Sequence, residues 1–331
     1  MSDQPIKPIP GNEDPERQDL AFTLPKGVIN DLDLGCSSYL PAWHAPFQAQ
    51  VTPPFDRNQY NPYTAAWCIN AVIYAYQQYC NKEKSDVYPP DVVDGTPLYW
   101  HEDFNLLNKK IPCGFIGKIK ETNSAVIALR GTEKVSEWLE NFQYQQKSIT
   151  FPAPIGTTAN IHKGFWEVLN EPANSHTLSL QQQIMDWLNI NNPTELYITG
   201  HSLGAAIATL VLIHSLLHYR PPGIKIYCYI IGSPRVGDII FSDAFRSLSN
   251  NPDFDFAFWR MVNIEDVVPT IPLPVFDKIV YTHIFSSPAG SPNTIGEVSF
   301  IENLGDLGKN HNPLTYFFAD RTLMPDPSLY T

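Results

Sequence analysis

TELYITGHSLGAAIATLVL, residues 194–212, decides how the whole chain is read. A β-branched and aromatic run stops at Gly200, Ser202 stands two residues on, and a helix of small and aliphatic residues follows. Gly200-His201-Ser202-Leu203-Gly204 fits G-x-S-x-G. In that pattern a sharp strand-to-helix turn projects a serine, and the glycines leave room for the backbone beside it. The helix that leaves such a turn aims its N-terminus at the serine and offers the Leu203 backbone N–H to a developing oxyanion. A structural glycine turn is the plain alternative, so the rest of the sequence has to choose.

The flanking sequence alternates strands and helices. A helix is expected from Pro62 through Ala65, Ile69, Val72, Ile73 and Tyr76, with the proline in its first turn. CGFIGKIK (113–120) and SAVIALRG (124–131), joined by Glu121-Thr122-Asn123, read as a hairpin. Helices near 164–171 and 176–190 precede the strand Glu195 to Thr199 and the helix from Leu203. Then follow a strand at Lys225 to Ile231, a helix at about Asp238 to Leu248 and a strand at Ala257 to Asn263. Strands near 279–286 and 297–301 and a helix from about Asn312 close the pattern. Such alternation predicts an α/β fold: a mostly parallel central sheet, helices on both faces, and active groups at the carboxyl ends of the strands. The proline-rich stretch 1–61 reads as an irregular arm packed through Tyr39, Trp43, Phe47 and Phe55, and 62–331 as a single domain.

Composition narrows the function. The 331 residues are 43% hydrophobic and 12% aromatic, enough for a substantial core. A net charge of −12 provides no basic stripe for nucleic acid and disfavours attraction to anionic membranes, so any lipid contact would be hydrophobic. The first twenty residues lack the apolar core of a signal peptide, and Leu203 to Leu217 is too short and polar to span a bilayer. The expectation is therefore a cytoplasmic protein without a transmembrane segment, with leaderless export still compatible. The five cysteines lack metal-ligand spacing and read mostly as reduced core thiols, one or two bridges staying open. No metal, nucleotide or redox cofactor is expected. The sequence is silent on oligomeric state.

A serine hydroxyl needs a base, itself oriented by an acid, in the order Ser, Asp, His. Asp266, in FWRMVNIEDVVPTIP just past a strand, is the favoured acid. Asp238 in GSPRVGD looks like a helix N-cap, and Glu265 would point elsewhere. Two histidines follow Asp266: His283 inside the strand-like KIVYTHIF, and His311 in a loop just before an Asn-Pro helix start. His311 is preferred because a loop residue can reach Ser202. Arg130-Gly131-Thr132 ends an earlier strand and places Thr132 to supply a second oxyanion donor. Val135, Trp138, Leu139 and Phe142 follow at helical spacing, which suits either a lid that opens on lipid or an ordinary core helix.

Taken together these pieces resemble the class 3 (fungal-type) lipase family of α/β-hydrolases. The matching segments are ALRGT, the Trp-containing segment after it, IHKGF (161–165), GHSLG, GSPRVGD, VNIEDVVPTIP and HNPLTYF, spread over roughly 62–320. The resemblance implies an α/β-hydrolase fold with a helical lid near 133–145. It implies Ser202 as nucleophile, Asp266 as acid, His311 as base, Thr132 and Leu203 as oxyanion donors, and a supporting role for His162. The family's base is often followed closely by an aromatic, whereas Tyr316 here is five residues on. The implied activity is carboxylic ester hydrolysis through an acyl-enzyme, on triacylglycerol at a lipid–water interface. Phospholipid or galactolipid acyl hydrolases and feruloyl or short-chain esterases share that apparatus. A non-catalytic hydrolase-fold scaffold is the rival from another class, and reaction with a serine-directed fluorophosphonate separates it.

Overall fold

The computed structural model describes residues 59–80, 87–101, 110–132, 145–172, 177–219, 223–272, 275–276, 279–280, 282–284, 286–304 and 307–324. Helix α1 spans Pro62–Cys80. Asn61 starts it by accepting hydrogen bonds from the backbone N–H groups of Tyr63 and Thr64 through Oδ1. Strands β1 (Val92–His101), β2 (Lys110–Ile119) and β3 (Ser124–Leu129) follow, then a hairpin of β4 (Gln146–Thr150) and β5 (Thr158–His162). Helices α2 (Lys163–Asn170) and α3 (Leu180–Asn191) lead to β6 (Glu195–His201) and α4 (Leu203–His218). The chain continues through β7 (Lys225–Ile231), α5 (Ile239–Leu248), β8 (Phe256–Asn263), the two-residue strands β9 (Val275–Phe276) and β10 (Ile279–Val280), and β11 (Thr294–Phe300). It ends in α6 (Leu307–His311) and α7 (Pro313–Arg321).

Seven strands form one sheet in the order β1-β2-β3-β6-β7-β8-β11. The pairs from β3 to β11 are parallel, and β1, β2 and β3 pair antiparallel. Side chains alternate across the sheet, as the two-residue period of a strand requires. From β7, Ile226, Cys228 and Ile230 enter a core beneath α2 to α5, and Tyr227, Tyr229 and Ile231 enter a second core beneath α1 and α7. Burial on both faces explains why the parallel strands read as continuous apolar runs. Helix α4 is buried along nearly its whole length, as an all-round apolar helix must be. Among the described residues no helix is long and apolar enough to cross a membrane.

Several expectations are revised. The strand placed near 279–286 reduces to β10, plus an isolated bridge between Thr282 and Gly237. The edge of the main sheet beside β8 is taken by β11, and β10 pairs with β9 instead. Strand β1 escaped prediction because Gly95 and Pro97 interrupt its pattern; a register shift between Val93 and Thr96 accommodates Gly95, and Pro97 is tolerated on the sheet edge. The cysteine reading stands: Cys68, Cys113 and Cys228 are free and buried, and Cys80 is disulfide-bonded, as that reading left open. The arm expected at 1–61 lies almost wholly outside the described residues.

Candidate active site

The geometry is built at the carboxyl ends of β3, β6, β7 and β8. Ser202 follows β6 in a positive-φ conformation, φ 57° and ψ −126°, which a residue with a side chain adopts only under constraint. Its own N–H donates to the Ile231 carbonyl at 3.0 Å, fixing the turn against β7. The flanking glycines are sterically required: a Cβ on Gly200 would lie 2.2 Å from the Gly204 carbonyl oxygen, and one on Gly204 would lie 2.4 Å from that of Arg130. The Ala205 N–H donates to the Ser202 carbonyl at 2.9 Å, and the Leu203 N–H is the first of α4, at the end where Ser202 stands.

His311 ends α6, not a loop as expected, and α7 starts directly after it with Asn312 as its N-cap. The His311 Nδ1–H donates to Asp266 Oδ2 at 2.6 Å, both side chains being fully buried. The Tyr316 hydroxyl donates to the same oxygen at 2.7 Å, and the Val268 N–H donates to Oδ1 at 2.9 Å. Burial and the Asp266 carboxylate push the Tyr316 hydroxyl well above its ordinary pKa, so it stays a donor. The Asn263 N–H completes the set by donating to Tyr316 Oη at 3.1 Å. Ser202 Oγ and His311 Nε2 are buried, and neither has a hydrogen-bond partner among the described residues.

Arg130 is buried at the foot of the Gly131-Thr132 loop. Its Nη1 donates to the Gly131 carbonyl at 2.7 Å and its Nε to that of Pro112 at 2.8 Å, while its guanidinium lies 3.9 Å from the Tyr79 ring centroid. The cation thus holds the loop by its backbone, and the Gly131 N–H is taken by the Tyr76 hydroxyl at 2.9 Å. That leaves Thr132 as the next N–H along this loop.

The rival candidates are occupied elsewhere. The Arg260 guanidinium donates to His283 Nε2 at 2.9 Å, and burial with the Arg260 and Arg235 charges lowers the His283 pKa far below its ordinary value. Asp238 caps α5, its Oδ1 accepting from the Phe241 N–H at 2.8 Å, and its Oδ2 accepts from Asn160. His162 caps α2 through Nδ1 and stacks on Phe165 at 4.1 Å, while its backbone N–H donates to Val236. Val135, Trp138, Leu139 and Phe142, expected in a lid, lie outside the described residues. Among the described residues no group of three or more His, Cys, Asp or Glu is arranged to hold a metal ion.

A family model described as lipase (class 3) matches residues 126–276, from β3 through the elbow and Asp266 to β9. The fold agrees: the Rhizomucor miehei triacylglyceride lipase superposes with a TM-score of 0.50 at 18% identity, over 73% of this chain and 80% of that one. The chain has the α/β-hydrolase fold. Phospholipase A1-II 3 of Oryza sativa subsp. japonica is 29% identical over 212 residues, 59% of this chain and 48% of the relative. Secreted mono- and diacylglycerol lipase 1 of Fusarium solani is 27% identical over 228 residues, 63% of this chain and 62% of the relative. The match thus spans less than two thirds of either relative's length.

The expectation of a cytoplasmic location is corrected. The Fusarium solani relative and the Penicillium camembertii lipase A, 29% identical over 207 residues, are both named secreted lipases. The bonded Cys80 also suits an oxidising compartment.

Tyr76, Asn263, Asn310 and Tyr316 were not singled out for this site from sequence. Asn263 Nδ2 donates to the Asn310 and Glu302 carbonyls, and its Oδ1 accepts from the Glu302 N–H, tying the Asp266 loop to the segment before His311. Of these, the sequence marks only Tyr316, as a departure in spacing after His311; the structure makes it a donor to Asp266.

Proposed function

We propose that this protein is a serine carboxylic ester hydrolase acting on lipid esters, with Ser202 as nucleophile, His311 as base and Asp266 as the acid that orients it. The buried His311–Asp266 pair beside the strained Ser202 turn carries the reading. The Ser202 hydroxyl attacks the acyl carbonyl as its proton passes to His311 Nε2. Asp266, braced by Tyr316 and Val268, keeps the proton on Nδ1 and stabilises the imidazolium. The Leu203 and Thr132 N–H groups take the oxyanion, each such donor contributing about 3–4 kcal/mol. His311 then protonates the leaving alcohol, and water releases the acid from the acyl-serine by the same steps. Both acylglycerol and phospholipid hydrolysis fit this apparatus, and relatives of each kind match the chain. We read its site of action as extracellular, as the names of the fungal relatives state for them.

A fluorophosphonate probe is expected to label the native protein, and Ser202→Ala is expected to lose both labelling and ester turnover. A folded native chain that neither labels nor hydrolyses any of emulsified triglyceride, phospholipid vesicles or soluble short-chain esters would favour a non-catalytic scaffold. Relative rates on the three substrates separate acylglycerol, phospholipid and short-chain preference.

A further inference from the structure

The histidine beside the nucleophile is fully buried, and the proposed reaction gives it no chemical step. Its two ring nitrogens are nevertheless both engaged. His201 Nε2 lies 2.7 Å from the His311 carbonyl oxygen, and Nδ1 lies 2.8 Å from the Tyr76 hydroxyl. A carbonyl can only accept, so Nε2 carries the hydrogen. Nδ1 is then the acceptor, and Tyr76 must donate to it. The Tyr76 oxygen in turn accepts the Gly131 N–H at 2.9 Å. Every polarity along this chain is forced by the two backbone groups at its ends.

We propose that Tyr76 and His201 are positioning residues that join the oxyanion loop, the nucleophile turn and the backbone of the base into one hydrogen-bonded unit. The inference rests on the serine-hydrolase reading and adds to it two residues that touch none of the reacting atoms. Gly131 is the point at which the parts meet. A Cβ built there would lie 2.6 Å from Ser202 Cβ, 2.6 Å from Tyr76 Oη and 2.9 Å from the His201 carbonyl oxygen. The His201 ring also lies flat enough against that of His311, with centroids 4.4 Å apart and planes inclined by 36°, to limit its tilt. Burial and the His311 neighbour hold His201 far below its ordinary pKa. It therefore stays neutral, with one donor and one acceptor, while His311 gains and loses its proton. A charged neighbour at this distance would oppose the imidazolium that turnover requires.

Tyr76 donates from α1, which the family match starting at residue 126 does not include. The unit thus spans both sides of that boundary.

The test compares native protein with Tyr76→Phe, His201→Gln and His201→Ala on a soluble short-chain ester, with a boronic acid as tetrahedral mimic. Circular dichroism and melting temperature check that each variant folds. Native labelling by a fluorophosphonate comes first, because a native protein that does not label overturns the serine-hydrolase reading itself. With labelling in place, Tyr76→Phe is expected to lower kcat roughly 10- to 100-fold with KM unchanged. It is expected to weaken boronate inhibition by a similar factor, because the oxyanion loop has lost its anchor. His201→Gln keeps an N–H close to the Nε2 position and is expected to recover at least several-fold over His201→Ala. If Tyr76→Phe folds and retains native kcat and boronate affinity, the proposal is overturned. The same holds if the two His201 variants are equal in kcat. Should Tyr76→Phe not fold, the comparison of the two His201 variants decides.

Discussion

Gly232 follows β7 with φ +56°, and its α-carbon faces the His311–Asp266 pair. A Cβ there would lie 3.1 Å from Asp266 Oδ2, 3.2 Å from Tyr316 Oη and 3.3 Å from His311 Cε1. Ordinary van der Waals contact begins at 3.4 Å, so Gly232→Ala forces displacements of about 0.1 to 0.3 Å on all three groups together. Two costs are expected. Left-handed backbone costs a residue with a Cβ about 1–2 kcal/mol in stability, and misplacement of reacting groups costs roughly 100-fold per ångström. On that scale a shift of about 0.3 Å corresponds to roughly fourfold in kcat. Gly156→Ala separates the two, since Gly156 has φ +60° and nothing within 4 Å of its Cβ position. Urea unfolding is expected to show similar stability losses for both variants. Turnover of a soluble p-nitrophenyl ester is expected to fall only for Gly232→Ala. Equal kcat in the two variants at equal stability loss would refute the reasoning, because the pair would then be insensitive to a methyl group in contact with it.

Tyr316→Phe removes one donor from Asp266 and leaves the Asn263 N–H without its acceptor. A hydrogen bond to a charged group contributes about 1.5–3 kcal/mol, so a kcat loss of at least tenfold is expected on the same ester, and native kcat would sever Tyr316 from the acid. Stability is expected to fall as pH drops from 7 to 5. Burial holds His201 and His283 well below the ordinary value and lowers His214 to about 4. In the unfolded chain all three take up protons below about pH 6.5 while the folded state does not, so the folded state loses ground from there down to the depressed values. Asp320 works in the opposite sense: burial raises it well above 3.8, and the folded state binds that proton first. Three groups against one leave a net of about two protons, a slope of about 3 kcal/mol per pH unit near pH 5. Urea midpoints at pH 7, 6 and 5 measure it, and a flat profile would contradict the buried neutral histidines.

How far the fold can be read from sequence depends on burial pattern. The parallel strands β6, β7 and β8 are buried along both faces, so each is a continuous apolar run bounded by a turn residue, and its limits agree with expectation to within two residues. Helices α1 and α5 carry start signals in the sequence itself: Pro62 opens α1 and Asp238 caps α5; the cap of α2 by His162 is visible only in the structure. Edge elements lack such marks. Strand β1 pairs on one side only and tolerates Gly95 and Pro97, and the short hairpin of β4 and β5 has the mixed exposure of a surface ladder. The apolar run around Ile279 misled in length and place: its strand propensity gives only the two-residue β10 paired with β9, because β11 has taken the edge of the main sheet.

The site divides along a different line. Groups proposed to meet the reacting atoms, Ser202, Asp266 and His311, are marked by residue type and order, since only a few chemistries move protons to and from a hydroxyl. The groups that hold them are marked by nothing local. Tyr76 reaches His201 across 125 positions, Tyr316 reaches Asp266 across 50, and Asn263 reaches Asn310 across 47. Each is a common residue type on an ordinary helix or strand end, and only the pairing of β6, β7 and β8 with α1 and α7 packed over them makes it a neighbour. Removing a holding residue should therefore leave labelling of Ser202 in place while slowing it, whereas removing Ser202 abolishes it. That difference in kind, measured as labelling rate against labelling extent, distinguishes the two classes of residue without reference to any substrate.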